Sequence, residues 1–126
     1  MVKIVEFKKR NNVIPIDFGD FKLEFVANDE NIKTLTSTGD SLRKNASALQ
    51  SEIAEDDVSK MIEGLKDLST EAWDSLFGEG TFKKVYEFAG ESVLPTVGYF
   101  SQVVEGVNEE YGEQLDTGSL KKYLED

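Results

Sequence analysis

Apolar residues change their spacing once along this chain, near residue 28. Phe21, Leu23 and Phe25 alternate with Lys22 and Glu24, the period of two that puts one face of a strand on a core and the other in water. Asp17-Phe18-Gly19-Asp20 supplies turn residues before them, and Val13-Ile14-Pro15-Ile16 is a short apolar run preceding that turn. Pro15 has no N–H to give a ladder, so its strand is expected at an edge. Lys3 to Phe7 reads as a third strand, joined by the polar turn Lys8 to Asn12. Two or three such strands are marginal alone and need another element to pack on.

From Asp29 the period becomes helical. Ile32, Leu35, Gly39, Leu42, Ala46, Leu49 and Ile53 follow one another at alternating steps of 3 and 4, the a/d seam of a heptad helix. Its small members, Gly39 and Ala46, let another helix approach closely, either within the chain or from a second copy, and Thr36-Ser37-Thr38-Gly39 is poor helix sequence. Asp56 is placed to cap a helix with Val58, Met61, Ile62, Leu65 and Leu68 on one face. Ser69 then reads as the cap of a separate short helix, stapled by Leu68 and Trp73 and stopped by Gly78. Thr81 restarts a helix through Phe82, Val85, Tyr86 and Ala89, ended by Gly90. Ser92 caps a helix that tolerates Pro95 in its first turn and aligns Phe100, Val103, Val104, Val107 and Tyr111, with Gly112 as its stop. Leu120, Tyr123 and Leu124 suggest a final short helix. The expected architecture is α+β: an N-terminal antiparallel sheet of two or three strands on a mainly helical body of four to six helices. No linker composition divides the 126 residues, so one domain is expected, with a hairpin region over 1–27 and a helical body over 28–126.

Charge sharpens this division. The net charge is −11. Residues 1–28 carry five basic and four acidic side chains, net +1, and the other 98 carry nine against 21, net −12. Between Val85 and Leu120 there is no Lys or Arg. Nucleic acid is a poor partner for such a surface. No run approaches the roughly 20 apolar residues of a membrane span, and the N-terminus lacks the apolar run of a signal peptide, so cytoplasmic residence is the expectation.

Candidate chemistry is sparse. With no Cys and no His, there is no disulfide framework, no Cys/His metal site and no histidine-based catalytic arrangement. The acids sit mostly on polar helix faces, as in Glu55-Asp56-Asp57 and Glu109-Glu110, rather than as a facing pair. Gly78-Glu79-Gly80 lacks the remaining positions of a phosphate loop and follows a helix rather than a strand. No Asp-x-Asp-x-Asp-Gly calcium loop is present. Trp73, Phe77, Phe82 and Tyr86 have the spacing of core aromatics, and Lys8-Lys9-Arg10 reads as a solvated hairpin tip or a contact for an acidic neighbouring subunit. No enzyme activity, cofactor or metal is expected.

Two segments carry a family resemblance: Ile16-Asp17-Phe18-Gly19-Asp20-Phe21-Lys22-Leu23-Glu24-Phe25, a strand–turn–strand before a long helix, and Trp73-Asp74-Ser75-Leu76-Phe77-Gly78-Glu79-Gly80-Thr81-Phe82-Lys83-Lys84-Val85-Tyr86. Together, over about a fifth of the residues, they resemble the tail assembly chaperone-type proteins of long-tailed phages and prophages of Gram-positive bacteria. The resemblance implies a non-enzymatic chaperone that binds the long helical tape measure protein, helps tail-tube subunits polymerise around it in the host cytoplasm, and leaves before the tail is complete. Two other classes are open. A helical secretion substrate of the Trp-x-Gly type matches size and acidity, although Trp73-Asp74-Ser75 lacks the glycine. A structural tail component, such as a connector or tube subunit, predicts more strand than the helical pattern allows.

Surfaces for these roles can be ranked from the stripes. Phe100, Val103 and Val107 are the first candidates for client binding, as a groove for another helix, with Phe77 and Tyr86 second. The seam Ile32, Leu35, Gly39, Leu42, Ala46 and Leu49 is the candidate for self-association into a homo-oligomer.

Overall fold

A computed structural model describes residues 4–7, 12–52 and 56–114, the last two of them as backbone only. Strands β1 (Val13–Asp17) and β2 (Lys22–Val26) pair antiparallel, with Ile14 opposite Phe25 and Ile16 opposite Leu23. These four side chains share the face turned to the helices. Residues 18–21 connect the strands, with the Phe18 N–H donating to the Phe21 carbonyl at 2.9 Å. Gly19 takes φ +90°, a left-handed conformation that glycine adopts without steric cost. The Asp17 carboxylate accepts from the Gly19 N–H at 2.8 Å. Because Asn12 and Phe18 bond toward β2, the antiparallel pattern turns the backbone of Pro15 and Asp17 the other way, to the outer edge. Proline occupies a position whose N–H the ladder does not need, as expected for an edge.

The structure is an α+β fold, a two-stranded sheet on four helices: α1 (Asp29–Glu52), α2 (Val58–Phe77), α3 (Thr81–Phe88) and α4 (Val93–Gln114). Asn28 caps α1 by accepting from the Asn31 N–H at 2.8 Å, and Asn31 Nδ2 donates to the Val26 carbonyl, tying strand end to helix start. The weak Thr36–Gly39 stretch does not interrupt α1. Tertiary packing overrides propensity there, since Ile32, Leu35, Gly39 and Leu42 are all buried and α1 packs on both α2 and α4. A Cβ on Gly39 would lie 2.9 Å from Val104 Cγ2, and one on Gly64 of α2 would lie 2.6 Å from Leu49 Cδ2. The seam closes inside the chain.

Three boundaries differ from the sequence expectation. The cap of α2 is Asp57, which accepts from the Lys60 N–H, rather than Asp56. Ser69 caps nothing: it lies in the middle of a continuous α2, wholly buried. Helix α4 runs through Gly112 to Gln114. The proposed Lys3–Phe7 strand is not formed where described, since residues 4–7 are irregular. The Lys8–Asn12 turn (except Asn12), the seam residue Ile53 and the Leu120–Leu124 helix lie outside the described residues.

What replaces the Ser69 cap is a buried polar link between α2 and α4. Ser69 Oγ and Thr96 Oγ1 are 2.8 Å apart, and Thr96 gives its single hydroxyl proton to the Val93 carbonyl. Ser69 must therefore donate to Thr96. Trp73 Nε1 donates to the Thr96 carbonyl at 3.1 Å, so a wholly buried indole has its one polar atom satisfied. Phe100 meets the Trp73 ring edge-on at 5.1 Å, and Phe18 of the hairpin approaches it at 6.2 Å. Phe18 also stacks on Phe21 and packs edge-on against Phe88 and Tyr99, which clamps the hairpin tip to α3 and α4.

Asp74 organises the next turn. Its carbonyl accepts from the Gly78 N–H and its carboxylate from the Phe82 N–H, each near 2.9 Å, so one residue holds the end of α2 and the start of α3. Helix α3 ends in a Schellman motif: Glu91 N–H reaches the Tyr86 carbonyl and Gly90 N–H the Glu87 carbonyl, with Gly90 and Glu91 both at positive φ.

The far end of α4 is tied to the start of α1 by the Tyr111 hydroxyl, which donates to Asp29 at 2.7 Å. That hydrogen bond to the carboxylate, with desolvation and the Asp29 charge behind it, holds the phenol above its ordinary value near 10. A raised pKa in the folded state means that the contact favours folding below the unfolded phenol's pKa and loses its effect as pH rises through the folded one. Ultraviolet titration of tyrosinate is expected to show one phenol ionising late in the wild type, and Asp29→Ala to return it toward the others. An unchanged titration curve in Asp29→Ala would rule the contact out.

Candidate interaction surfaces

Two apolar surfaces stay open on this framework. The first is a groove of about 470 Å3 between β1 and α4. Among the described residues the sheet has two strands, and the inner-face residues Ile14 and Ile16 at its edge stay half-buried. Val103 and Val107 form its floor, Gly106 leaves open space above the helix backbone, and Asp17 and Glu110 are among its lining residues.

The second lies where α2 begins and α4 begins, a hollow of about 340 Å3 lined by Met61, Ile62, Leu65, Tyr86, Val93 and Leu94. Ile62 and Leu94 are exposed, as is Val58 one turn before Ile62. These three lie in the two helix starts, where none of the described elements covers them. Glu91, in its left-handed conformation, is on the lining as well, and Lys66 places its ammonium 4.8 Å from the centre of the Tyr86 ring.

The residues singled out from the sequence fall differently on these surfaces. Phe100 is wholly buried, in contact with Trp73, and has no surface to offer a client. Val103 and Val107 are buried too, yet their upper edges are the groove floor. Phe77 is half-buried, packed on Trp73 and Phe25, while half-buried Tyr86 lines the second hollow. The self-association seam needs correction: Ile32, Leu35, Gly39 and Leu42 face α2 and α4 inside the chain, and Ala46 and Leu49 pack partly against the same core. The close approach that small residues permit is spent on Val104 of the same chain.

The exposed Val58 and Ile62 were missed as a surface because in sequence they read as members of a buried stripe, and Leu94 was assigned to no stripe. Only the placement of the two helix starts leaves them uncovered. Compared with protein-family models, curated proteins and solved structures, the chain matches none of them. Among the described residues, no three His, Cys, Asp or Glu side chains come together to hold a metal ion, and no helix is long and apolar enough to cross a membrane. Lys60 and Asp57 form an ion pair at 3.7 Å among the described residues, exposed and of little energetic weight.

Proposed function

We propose that the chain is a non-enzymatic chaperone of phage tail assembly, covering helices of the tape measure protein in the host cytoplasm and assisting tail-tube subunits to assemble around it. The resemblance of Ile16–Phe25 and Trp73–Tyr86 to tail assembly chaperone-type proteins names the client. The observation that carries the reading is the exposed apolar hollow at Ile62, Tyr86 and Leu94 on a helical body of net charge −12. A client helix supplies an apolar stripe to such a hollow and basic side chains to Glu91 and the acidic surroundings. The net charge keeps the loaded complex soluble. Trp73 has a structural role that needs no secretion motif, since its ring and its N–H are both committed to the core.

Co-expression with the tape measure protein is the test. The expected result is a soluble complex with the wild-type chain and its loss with Ile62→Asp/Leu94→Asp, whose circular dichroism stays native because both side chains are exposed. Losing two buried aliphatic contacts at about 1.5–3 kcal/mol each weakens binding at least a hundredfold. If the tape measure protein is equally insoluble with and without the chain, and no complex is isolated, the chaperone reading is dropped.

A further inference from the structure

The three most exposed large apolar side chains among the described residues lie within four positions of one another: Ile4, Val5 and Phe7, at 80%, 73% and 89% exposure. They belong to an irregular stretch with strand-forming composition. The groove beside β1 is the space that a third strand at that edge would cover. We propose that residues 4–7 of one copy add as a strand to the outer edge of β1 in a second copy, reciprocally, so that the homodimer completes two three-stranded sheets. This does not rest on the chaperone reading.

The geometry supports strand addition over other occupants. Along β1 the carbonyl of Pro15 and the N–H of Asp17 turn outward, while the inner face carries Ile14 and Ile16. A strand laid along that edge sends alternate side chains to the same inner side. Val5 and Phe7, two apart, would then descend together toward Val103, Gly106 and Val107, where the missing Gly106 side chain leaves room. In the single chain the segment does not fill this groove, since Phe7 is almost wholly in solvent. Charge suits this segment to the groove, and its exposure in the single chain assigns it to a second copy. Lys8-Lys9-Arg10 follows the segment directly, and the acceptor brings Asp17, Glu110 and an α4 without Lys or Arg. Exchange of identical segments closes with two-fold symmetry and covers one exposed edge on each copy.

The absence of native cysteine makes the test direct. A Phe7→Cys chain is mixed with a size-tagged Gly106→Cys chain under a thiol–disulfide redox buffer, and the doubly substituted chain is oxidised in parallel. The expected result is a hetero-linked dimer as the main product, together with a wild-type dimer by light scattering. Phe7→Asp should weaken that dimer roughly hundredfold to ten-thousandfold, the effect of losing one buried phenylalanine from each of the two copies, without changing circular dichroism. A doubly substituted chain that links only within itself overturns the proposal in favour of its own strand as occupant. Hetero-linked product no more abundant than self-linked product, or a wild-type monomer throughout, overturns it outright.

Discussion

Trp73→Ala is expected to destabilise the chain by about 3–5 kcal/mol, the range for removing a large buried aromatic side chain. The ring is wholly buried and lies where α2, α4 and the hairpin meet, against Phe77, Phe100 and Phe18. Against a total stability of about 5–15 kcal/mol for a domain, this loss alone can leave little folded protein. Trp73→Phe keeps most of the apolar contact and separates the terms. It removes the donor to the Thr96 carbonyl, which the α4 ladder also serves, at about 0.5–1.5 kcal/mol for the lost hydrogen bond. Urea denaturation followed by circular dichroism gives both values without using the indole as the probe. A midpoint for Trp73→Ala within error of wild type would show that the three elements do not depend on this residue.

The same junction shows where local reading stops. Ser69 has the features of an N-cap: a hydroxyl, an apolar Leu68 before it and Trp73 four positions on. Those features describe a helix start when the hydroxyl is satisfied locally. Here its partner is Thr96, 27 positions away, and no pattern within ten residues of Ser69 contains that information. One observation pointed the right way: a buried tryptophan needs an acceptor for its N–H. It did not say which carbonyl. Gly112 fails as a stop for a related reason. The helix around it continues while Tyr111 is held to Asp29 across the fold, a contact spanning 82 positions.

Period located the buried faces of β2 and α1, though not the exposed Val58 and Ile62 at the start of α2. The alternation through Phe21, Leu23 and Phe25 became β2, with Leu23 and Phe25 buried. The 3-and-4 steps from Ile32 became the buried face of α1. Period tells which side of an element is covered but not what covers it. The α1 seam was therefore compatible with a second copy until the approach of Val104 to Gly39 assigned it to the interior. The surfaces that remain open lie where elements end: Val58 and Leu94 at helix starts, and Ile14 and Ile16 at a sheet edge. Their exposure depends on how many strands and helices surround them. That number is a property of the assembled fold.

Gly39→Leu gives the seam a quantitative test, with an expected net loss of about 1–2 kcal/mol. Overpacking a filled interface costs about 1–3 kcal/mol, occasionally more, and the first added atom already stands 2.9 Å from Val104 Cγ2, with Phe100 Cε1 next at 3.8 Å. Better helix propensity returns no more than about 1 kcal/mol, so the clash decides the sign. Because Val104 is the obstructing side chain, Val104→Ala should recover part of the loss, by about 1 kcal/mol in a double-mutant cycle. Denaturant midpoints measure this cycle, and light scattering on the same samples separates two explanations. If Gly39 serves contact within the chain, stability falls in Gly39→Leu while the association state of the folded protein stays that of wild type. A variant with unchanged stability and a lost oligomer would place the seam between copies instead. Rescue by Val104→Ala is the sharper arm, since the Gly39–Val104 approach it relieves lies within one molecule.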